Sequence, residues 1–172
     1  QVYGSQLNGF SSHPTLTATM GDGVDTVHAS TNADTISTGP GDDYVSLTGG
    51  ANNVSVDLGS GSGDTLYVGG SMADDAMTLT SSGASTTATR TTGATTSTNV
   101  VAGPETLFVH GYDGDDSITT SGVTAASALT SVLVYGEEGD DTLTGGPKGE
   151  IFETGEGMNM VWAGAGQDTV WS

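Results

Sequence analysis

The chain has no cysteine and only 2 Lys+Arg against 21 Asp+Glu. The first absence excludes disulfides and thiolate metal sites. The second leaves a formal charge of −19, a surface that repels nucleic acid and anionic membranes and attracts cations. Aromatics make up 6%, and no apolar run approaches the length of a membrane span. No secretory leader is visible and residue 1 is Gln, which points to a processed chain or a piece of something longer. Acidic chains poor in aromatics include disordered ones. Against disorder, charged residues are only 13% and apolar residues recur at fixed places. Scarce Lys with abundant Thr, Ser and Gly suits an exported surface protein.

What is abundant is glycine, 28 residues, and it is spaced. Cut every nine residues, 136–171 reads GEEGDDTLT, GGPKGEIFE, TGEGMNMVW, AGAGQDTVW. The sixth places hold Asp141, Glu150, Asn159 and Asp168; the eighth hold Leu143, Phe152, Val161 and Val170. The same phase fits the N-terminal third, with Asp25, Asp34, Asp43 and Asn52 nine apart and Val27, Ile36, Val45 and Val54 in the apolar series. A three-residue insertion then moves the next unit to Asp64 and Leu66, and MADDAMT offers Asp75 and Met77. Such a run is an internal repeat, the signature of a stacked architecture. In the middle, FVHGYDGDDSIT (108–119) and LVYGEEGDDTLT (133–144) match at an offset of 25, the size of one full coil with an excursion.

A nine-residue unit has a simple physical form. The residues around the apolar place are extended, so Thr142 points out, Leu143 in and Thr144 out. The glycine-rich remainder turns sharply, because glycine reaches positive φ without a Cβ clash. Two units make one flattened coil, and successive coils pair as parallel strands over a thin column of Val, Ile and Leu. Gly, Thr and Ser at this density disfavour helix. The fold class is therefore all-β: a parallel β-roll or β-helix (solenoid) with short strands and Gly/Asp-rich turns.

The chain is read as one elongated domain, 1–172. It divides into a lead-in or cap (1–19), nonapeptide repeats (20–79), a Thr/Ser-rich excursion (80–102), longer coils (103–135) and nonapeptide repeats with an open C-terminal end (136–172). The excursion fits an exposed hairpin, a glycan-bearing loop or a mobile segment, and its composition favours a solvated, weakly packed one. Asn53-Val54-Ser55 fits a glycosylation acceptor or a plain turn.

Turns eighteen residues apart stack on one edge of such a solenoid. That places Asp25 over Asp43, Asp34 over Asn52, Asp141 over Asn159 and Glu150 over Asp168. Stacked carboxylates repel, and nothing basic is near in the sequence to pair with them. A hard divalent cation between turns removes the repulsion, and calcium suits it, accepting several carboxylate and carbonyl oxygens in loose geometry. Glycine turns expose such carbonyls, which need partners once buried.

The units GYDGDDSIT, GEEGDDTLT and AGAGQDTVW resemble the glycine-rich nonapeptide of the repeats-in-toxin (RTX) family, Gly-Gly-x-Gly-x-Asp-x-apolar-x. The resemblance implies a parallel β-roll holding several Ca²⁺ ions between turns, with the sixth-place Asp giving carboxylate oxygen and the turn giving carbonyls. It makes Asp25, Asp43, Asp64, Asp116, Asp141 and Asp168 the best ligands. Asp34 and Asp75 come next, since their turns lack the full glycine pattern. Lys148, Glu150 and Asn159 depart from the pattern and mark turns where ligation should fade.

Catalysis is the rival, because parallel β-helices include polysaccharide lyases and epimerases. The chain offers His13, His28 and His110 with Arg90 and Lys148, scattered in sequence, where lyase chemistry needs a cation beside a base. Each His reads as a surface residue and the chain as non-catalytic. An ice-binding face is disfavoured because the outward places, such as Thr26, Thr35, Tyr44, Asn53, Thr65 and Ala76, are irregular. Trp162 and Trp171 fall at outward ninth places, which fits either packing under a loop or an interface. No cap follows Val170, and an uncapped stack needs a neighbour. The expectation is an extracellular, calcium-stabilised structural module, with end-to-end assembly into a fibre as an extension. Its partners would be neighbouring subunits or domains at the solenoid ends and possible surface glycans, with no nucleic acid and no membrane insertion. The runner-up is a calcium-binding repeat region of a larger secreted adhesin or toxin-like protein.

Overall fold

The structure, a computed structural model, describes residues 6–8, 17–29, 33–48 and 53–172. Asn52 and His13 lie outside the described residues. Among these residues the chain forms strands and no helix. In chain order they are β1 (Gln6–Asn8), β2 (Thr17–Thr19), β3 (Thr26–His28), β4 (Thr35–Ser37), β5 (Tyr44–Leu47), β6 (Ser55–Asp57), β7 (Thr65–Ser71), β8 (Asp75–Ser82) and β9 (Ser85–Thr92). Then follow β10 (Thr95–Ala102), β11 (Thr106–Asp113), β12 (Ser117–Val123), β13 (Ser131–Glu138), β14 (Thr142–Thr144), β15 (Ile151–Glu153), β16 (Met160–Trp162) and β17 (Thr169–Trp171).

The strands form two facing sheets of a β-roll. One is parallel throughout, in the order β1-β3-β5-β7-β11-β13-β15-β17. The other runs β16-β14-β12-β8-β9-β10-β6-β4-β2. Each coil crosses from the first sheet to the second and returns. Thr26 pairs with Tyr44, and Ile151 with Thr169, at the eighteen-residue offset that two nonapeptides require. Phe108 pairs with Leu133 and Ser117 with Thr142, so the offset of 25 is one coil, as expected.

The core is the thin column that the repeat demands. Val27, Val45, Leu66 and Leu107 stack on one sheet and Met77, Ile118 and Leu143 on the other, all essentially inaccessible. Burying each such side chain stabilises by about 1.5–3 kcal/mol. The column thins at the last coil, where Phe152 is fully buried but Val170 above it is 49% exposed.

Two expectations need correction. The Thr/Ser-rich stretch is not a solvated, weakly packed segment. With the end of β8 it forms an antiparallel meander, β8-β9-β10, built into the second sheet between β12 and β6. Its alternate residues Thr86, Ala88, Ser97 and Asn99 are buried. Thr favours strands as a β-branched residue, and strict alternation of one buried face outweighs polar composition. The second correction concerns the insertion. Ser55 pairs with Thr35 at an offset of 20, and Thr65 with Tyr44 at 21. Two of the three extra residues therefore precede β6 and one follows it. Val54 lies opposite Asp34, where Asn52 was expected, and Val56 takes the apolar place. Asn53, in the left-handed region at φ 58°, turns the chain into β6.

Candidate metal centre

In the repeat units the acid stands at the entry to the strand, as its first residue in β8 and just before it in β3, β4, β5, β7, β12, β14 and β17. Asp25, Asp43 and Asp64 therefore line one edge of the roll, ahead of the first sheet. Asp75, Asp116 and Asp141 line the other, ahead of the second. Although acidic, these six are 1–2% exposed, and Asp34 is 5% exposed.

The acids form ladders. On the first edge, Asp25 N–H donates to Asp43 Oδ1 at 2.8 Å, and Asp43 N–H to Asp64 Oδ1 at 2.7 Å. Asp64 N–H donates to Glu105 Oε2 at 2.9 Å. On the second, Asp75 N–H donates to Asp116 Oδ1 at 2.7 Å, Asp116 N–H to Asp141 Oδ1 at 2.9 Å and Asp141 N–H to Asn159 Oδ1 at 2.7 Å. Glu150 N–H meets Asp168 Oδ1 at 2.9 Å. One oxygen of each acid thus satisfies the amide of the coil before it. Opposite Asp34 stands Val54, whose N–H donates to Asn99 Oδ1 at 3.0 Å.

The second oxygen is the informative one. Oδ2 of Asp43, Asp64, Asp116 and Asp141, and Oε2 of Glu150, are buried with no hydrogen-bond donor. A buried polar atom without a partner is costly. These oxygens face others: a Cβ placed on Gly111 would lie 2.3 Å from Asp116 Oδ2 and 2.6 Å from Gly136 O. One placed on Gly136 would lie 2.4 Å from Asp141 Oδ2 and 2.5 Å from Thr154 O. Glycine is required there because carboxylate and carbonyl oxygens of adjacent coils converge on that space.

Burial pushes Asp116 up to about 7, opposed by the Asp75 N–H and reinforced by the carboxylates of Asp141, Asp75 and Asp74. Asp64 is pushed up to about 6 by burial, with Glu105, Asp43 and Asp42 adding repulsion. Asp141 is raised first by burial and then by Asp115 and Asp140. Burial likewise takes Glu150 to about 7, with Asp168 contributing. Holding these groups ionised requires a positive charge that no side chain near them supplies.

The donor set fits calcium: hard oxygens only, with Asp116 Oδ2 beside Gly136 O and Asp141 Oδ2 beside Thr154 O, and no nitrogen or sulfur. No group of three or more His, Asp or Glu side chains converges as a metal site among the described residues. The donors instead alternate between side chain and main chain. Asp43, Asp64, Asp116 and Asp141 would hold the ion, which would supply the charge that keeps stacked carboxylates together.

The remaining candidates differ. Asp75 has both oxygens occupied: Oδ2 accepts Ser71 N–H at 2.6 Å and Ser71 Oγ–H at 2.9 Å, and Oδ1 accepts Thr92 Oγ1–H. Asp168 is half-buried. Asn159 holds its own turn, its Nδ2 donating to the carbonyls of Thr154, Gly155 and Glu156 at 3.2, 3.4 and 3.2 Å. Lys148 Nζ donates to Ser127 O at 3.1 Å. Glu150, expected to be a weak turn, is fully buried, its Oε1 accepting Gly146 N–H at 3.1 Å and Thr120 Oγ1–H at 3.4 Å.

Sequence reasoning missed the exposed fifth-place acids. Asp115 N–H donates to Asp74 Oδ1 at 3.0 Å, Asp140 N–H to Asp115 Oδ1 at 2.9 Å and Met158 N–H to Asp140 Oδ1 at 2.8 Å. This outer ladder has the opposite polarity to the inner one, so each Asp-Asp doublet ties its coil to both neighbours. The doublets were the available signal. Glu105 was also missed, although PETLFV repeats GDTLYV in placing an acid before Thr-Leu.

The groups considered for catalysis do not gather. His28 is exposed and lies edge-on to Tyr44, with ring centroids 6.3 Å apart. His110 is only half-buried, stacked between Tyr67 and Tyr135 at 4.7 and 4.3 Å and paired with Glu137.

Among known families, the RTX calcium-binding nonapeptide repeat, four copies, matches residues 21–54, 132–147 and 149–172. No curated protein matches the chain. The family match covers the turns that carry Asp25, Asp34, Asp43, Asp141 and Asp168, while Asp64, Asp75 and Asp116 lie outside it.

Proposed function

We propose that this chain, which carries the RTX calcium-binding nonapeptide repeat over 74 of its 172 residues, is a non-catalytic, extracellular structural module whose fold is completed by calcium. The observation that carries the reading is the set of buried carboxylate oxygens without donors on Asp43, Asp64, Asp116 and Asp141, with main-chain carbonyls of the next coil beside those of Asp116 and Asp141. Calcium modules outside cells bind at about 10⁻⁴–10⁻³ M, so such sites fill on export and empty at intracellular calcium levels. The chain's own residues do the rest: the inner Asp ladder sets the coil spacing, and glycine keeps the oxygen-lined gap open. Circular dichroism and melting in excess chelator test this. A β spectrum and melting curve unchanged by chelation would overturn it.

The last coil supports an extension to assembly. Met158, Met160, Trp162 and Trp171 are 82%, 51%, 56% and 62% exposed, and such apolar and aromatic groups suit an interface. Stacking a second copy there is a heterologous contact, which produces filaments. The runner-up role, a repeat region of a larger secreted adhesin or toxin-like protein, has the same face meet a neighbouring domain. Negative-stain microscopy in calcium separates them: filaments support self-assembly, discrete particles the runner-up.

A further inference from the structure

We propose that Arg90 is a built-in cation that ties down the Gly69–Gly70 end of β7, so that the seam beside the inserted meander holds without a metal ion. The proposal rests on the calcium reading of the other turns.

Register places Gly70, Gly111 and Gly136 in one row of the first sheet. In that row, the carbonyl of each higher coil comes down beside an acid of the coil below. Thr154 O lies near Asp141 Oδ2, Gly136 O near Asp116 Oδ2, and Gly111 O near Asp75 Oδ2. Gly70 O has no such acid below it. The second sheet continues from β8 through β9 and β10 to β6: Asp75 is followed by Thr92 and then Thr95, while Val54 stands beside Asn99, so neither row carries a further acid. The meander has displaced the carboxylate that the repeat would have put there.

Arg90 takes that space. It follows the buried Thr86 and Ala88 on the inward face of β9 and lines a small cavity with Leu47, Val68, Ser97 and Asn99. Its Nη1 donates to Gly69 O at 2.8 Å and to Gly70 O at 3.0 Å. It is the sole arginine among 21 Asp+Glu, yet its guanidinium is spent on two main-chain carbonyls, the donor type a hard cation takes in the neighbouring turns. A guanidinium stays charged at every working pH and presents several N–H groups in a fixed fork, so it neutralises and satisfies such carbonyls permanently. The rest of the seam is equally self-sufficient, since Ser71 and Thr92 occupy both oxygens of Asp75.

Hydrogen exchange of the full chain, with calcium and with excess chelator, tests this in wild type, Arg90→Met and Arg90→Lys. In chelated wild type, residues 66–71 should exchange about tenfold more slowly than 107–112 and 132–137, as expected when local stabilities differ. In chelated Arg90→Met that advantage should disappear. Arg90→Lys, which keeps the charge, should retain it at least in part. If calcium protects all three segments but chelation exposes them together in wild type, the calcium reading stands and the Arg90 proposal falls. If Arg90→Met keeps the advantage, or Arg90→Lys loses it as fully as the methionine variant, the proposal also falls. If chelation changes none of the segments, the calcium reading itself fails and takes the proposal with it. Should Arg90→Met not fold even in calcium, the lysine variant decides.

Discussion

The main-chain N–H of Asp116 donates to Asp141 Oδ1 at 2.9 Å, one coil and 25 residues away. Oδ2 of the same Asp141 is buried without a donor. One carboxylate therefore does two jobs: it sets the spacing between coils and leaves a negative oxygen aimed at turn carbonyls. The jobs separate on substitution. Asp116→Asn retains an Oδ1 acceptor for Asp75 N–H and removes the charge. In chelator, Asp116→Asn should be at least as stable as wild type, because a buried anion has gone. In calcium at ten times Kd it should lose one site, about 1.4 kcal/mol, or roughly 3–6 °C in a domain of this size. Melting curves of both proteins in both conditions check the crossover. A variant that loses stability equally with and without calcium would show the role to be structural alone.

Glycine at 111 and 136 should be irreplaceable. An added Cβ would meet carboxylate and carbonyl oxygens at 2.3–2.6 Å, inside any real contact. Gly136→Ala should lower calcium affinity and stability together. Gly83→Ala is not a clean control, since its φ of 60° itself favours glycine. Gly21→Ala is, because its Cβ would meet nothing within 4 Å, and it should change stability by no more than about 0.5 kcal/mol. Calorimetric calcium titration with chemical denaturation measures both effects.

The pH dependence should reverse with calcium. Burial raises Asp64 to about 6 and Asp116 and Glu150 to about 7, above their unfolded values near 4. Between about 4 and 7 the folded state then binds more protons than the unfolded one, so metal-free stability falls as pH rises through that window. Calcium needs the carboxylates ionised, so the calcium-induced gain should grow as pH rises over the same window. Melting at pH 5 and pH 8, with and without chelator, checks both signs.

The thin apolar column should be sensitive where it is continuous. Leu143→Ala, at a fully buried place, should cost about 2–5 kcal/mol. Val170→Ala, at a place 49% exposed, should cost far less. Denaturant midpoints of the two variants test whether the core ends where exposure says it does.

The repeat period made most of the fold legible, because one residue type returning every nine positions fixes turn, strand and buried face together. Asp25 over Asp43 and Asp141 over Asn159 follow from that period alone. The register of Asp34 did not, because the three extra residues are divided between the turns before and after β6 and Val54 imitates the apolar place of the next unit. The meander was missed for a different reason. Thr and Ser read as solvent-facing by composition, but a sheet with a buried inner face accepts them when alternate side chains hydrogen-bond or pack, as Thr86 and Ser97 do. That insertion also hid the 41-residue coil, in which TLYVGG lies under TLFVHG. The outer Asp ladder was signalled only by the Asp-Asp doublets, and the role of Arg90 was not legible, since it depends on which carbonyls lie across from β9.

The most direct test of the calcium account is a crystal structure of the calcium-loaded protein with anomalous scattering used to locate the ions. The account predicts an ion bound jointly by Asp116 Oδ2 and Gly136 O, with further ions at the Asp43 and Asp64 turns. A clear map at those turns showing no anomalous peak, with water or a main-chain donor against Asp116 Oδ2, would contradict it.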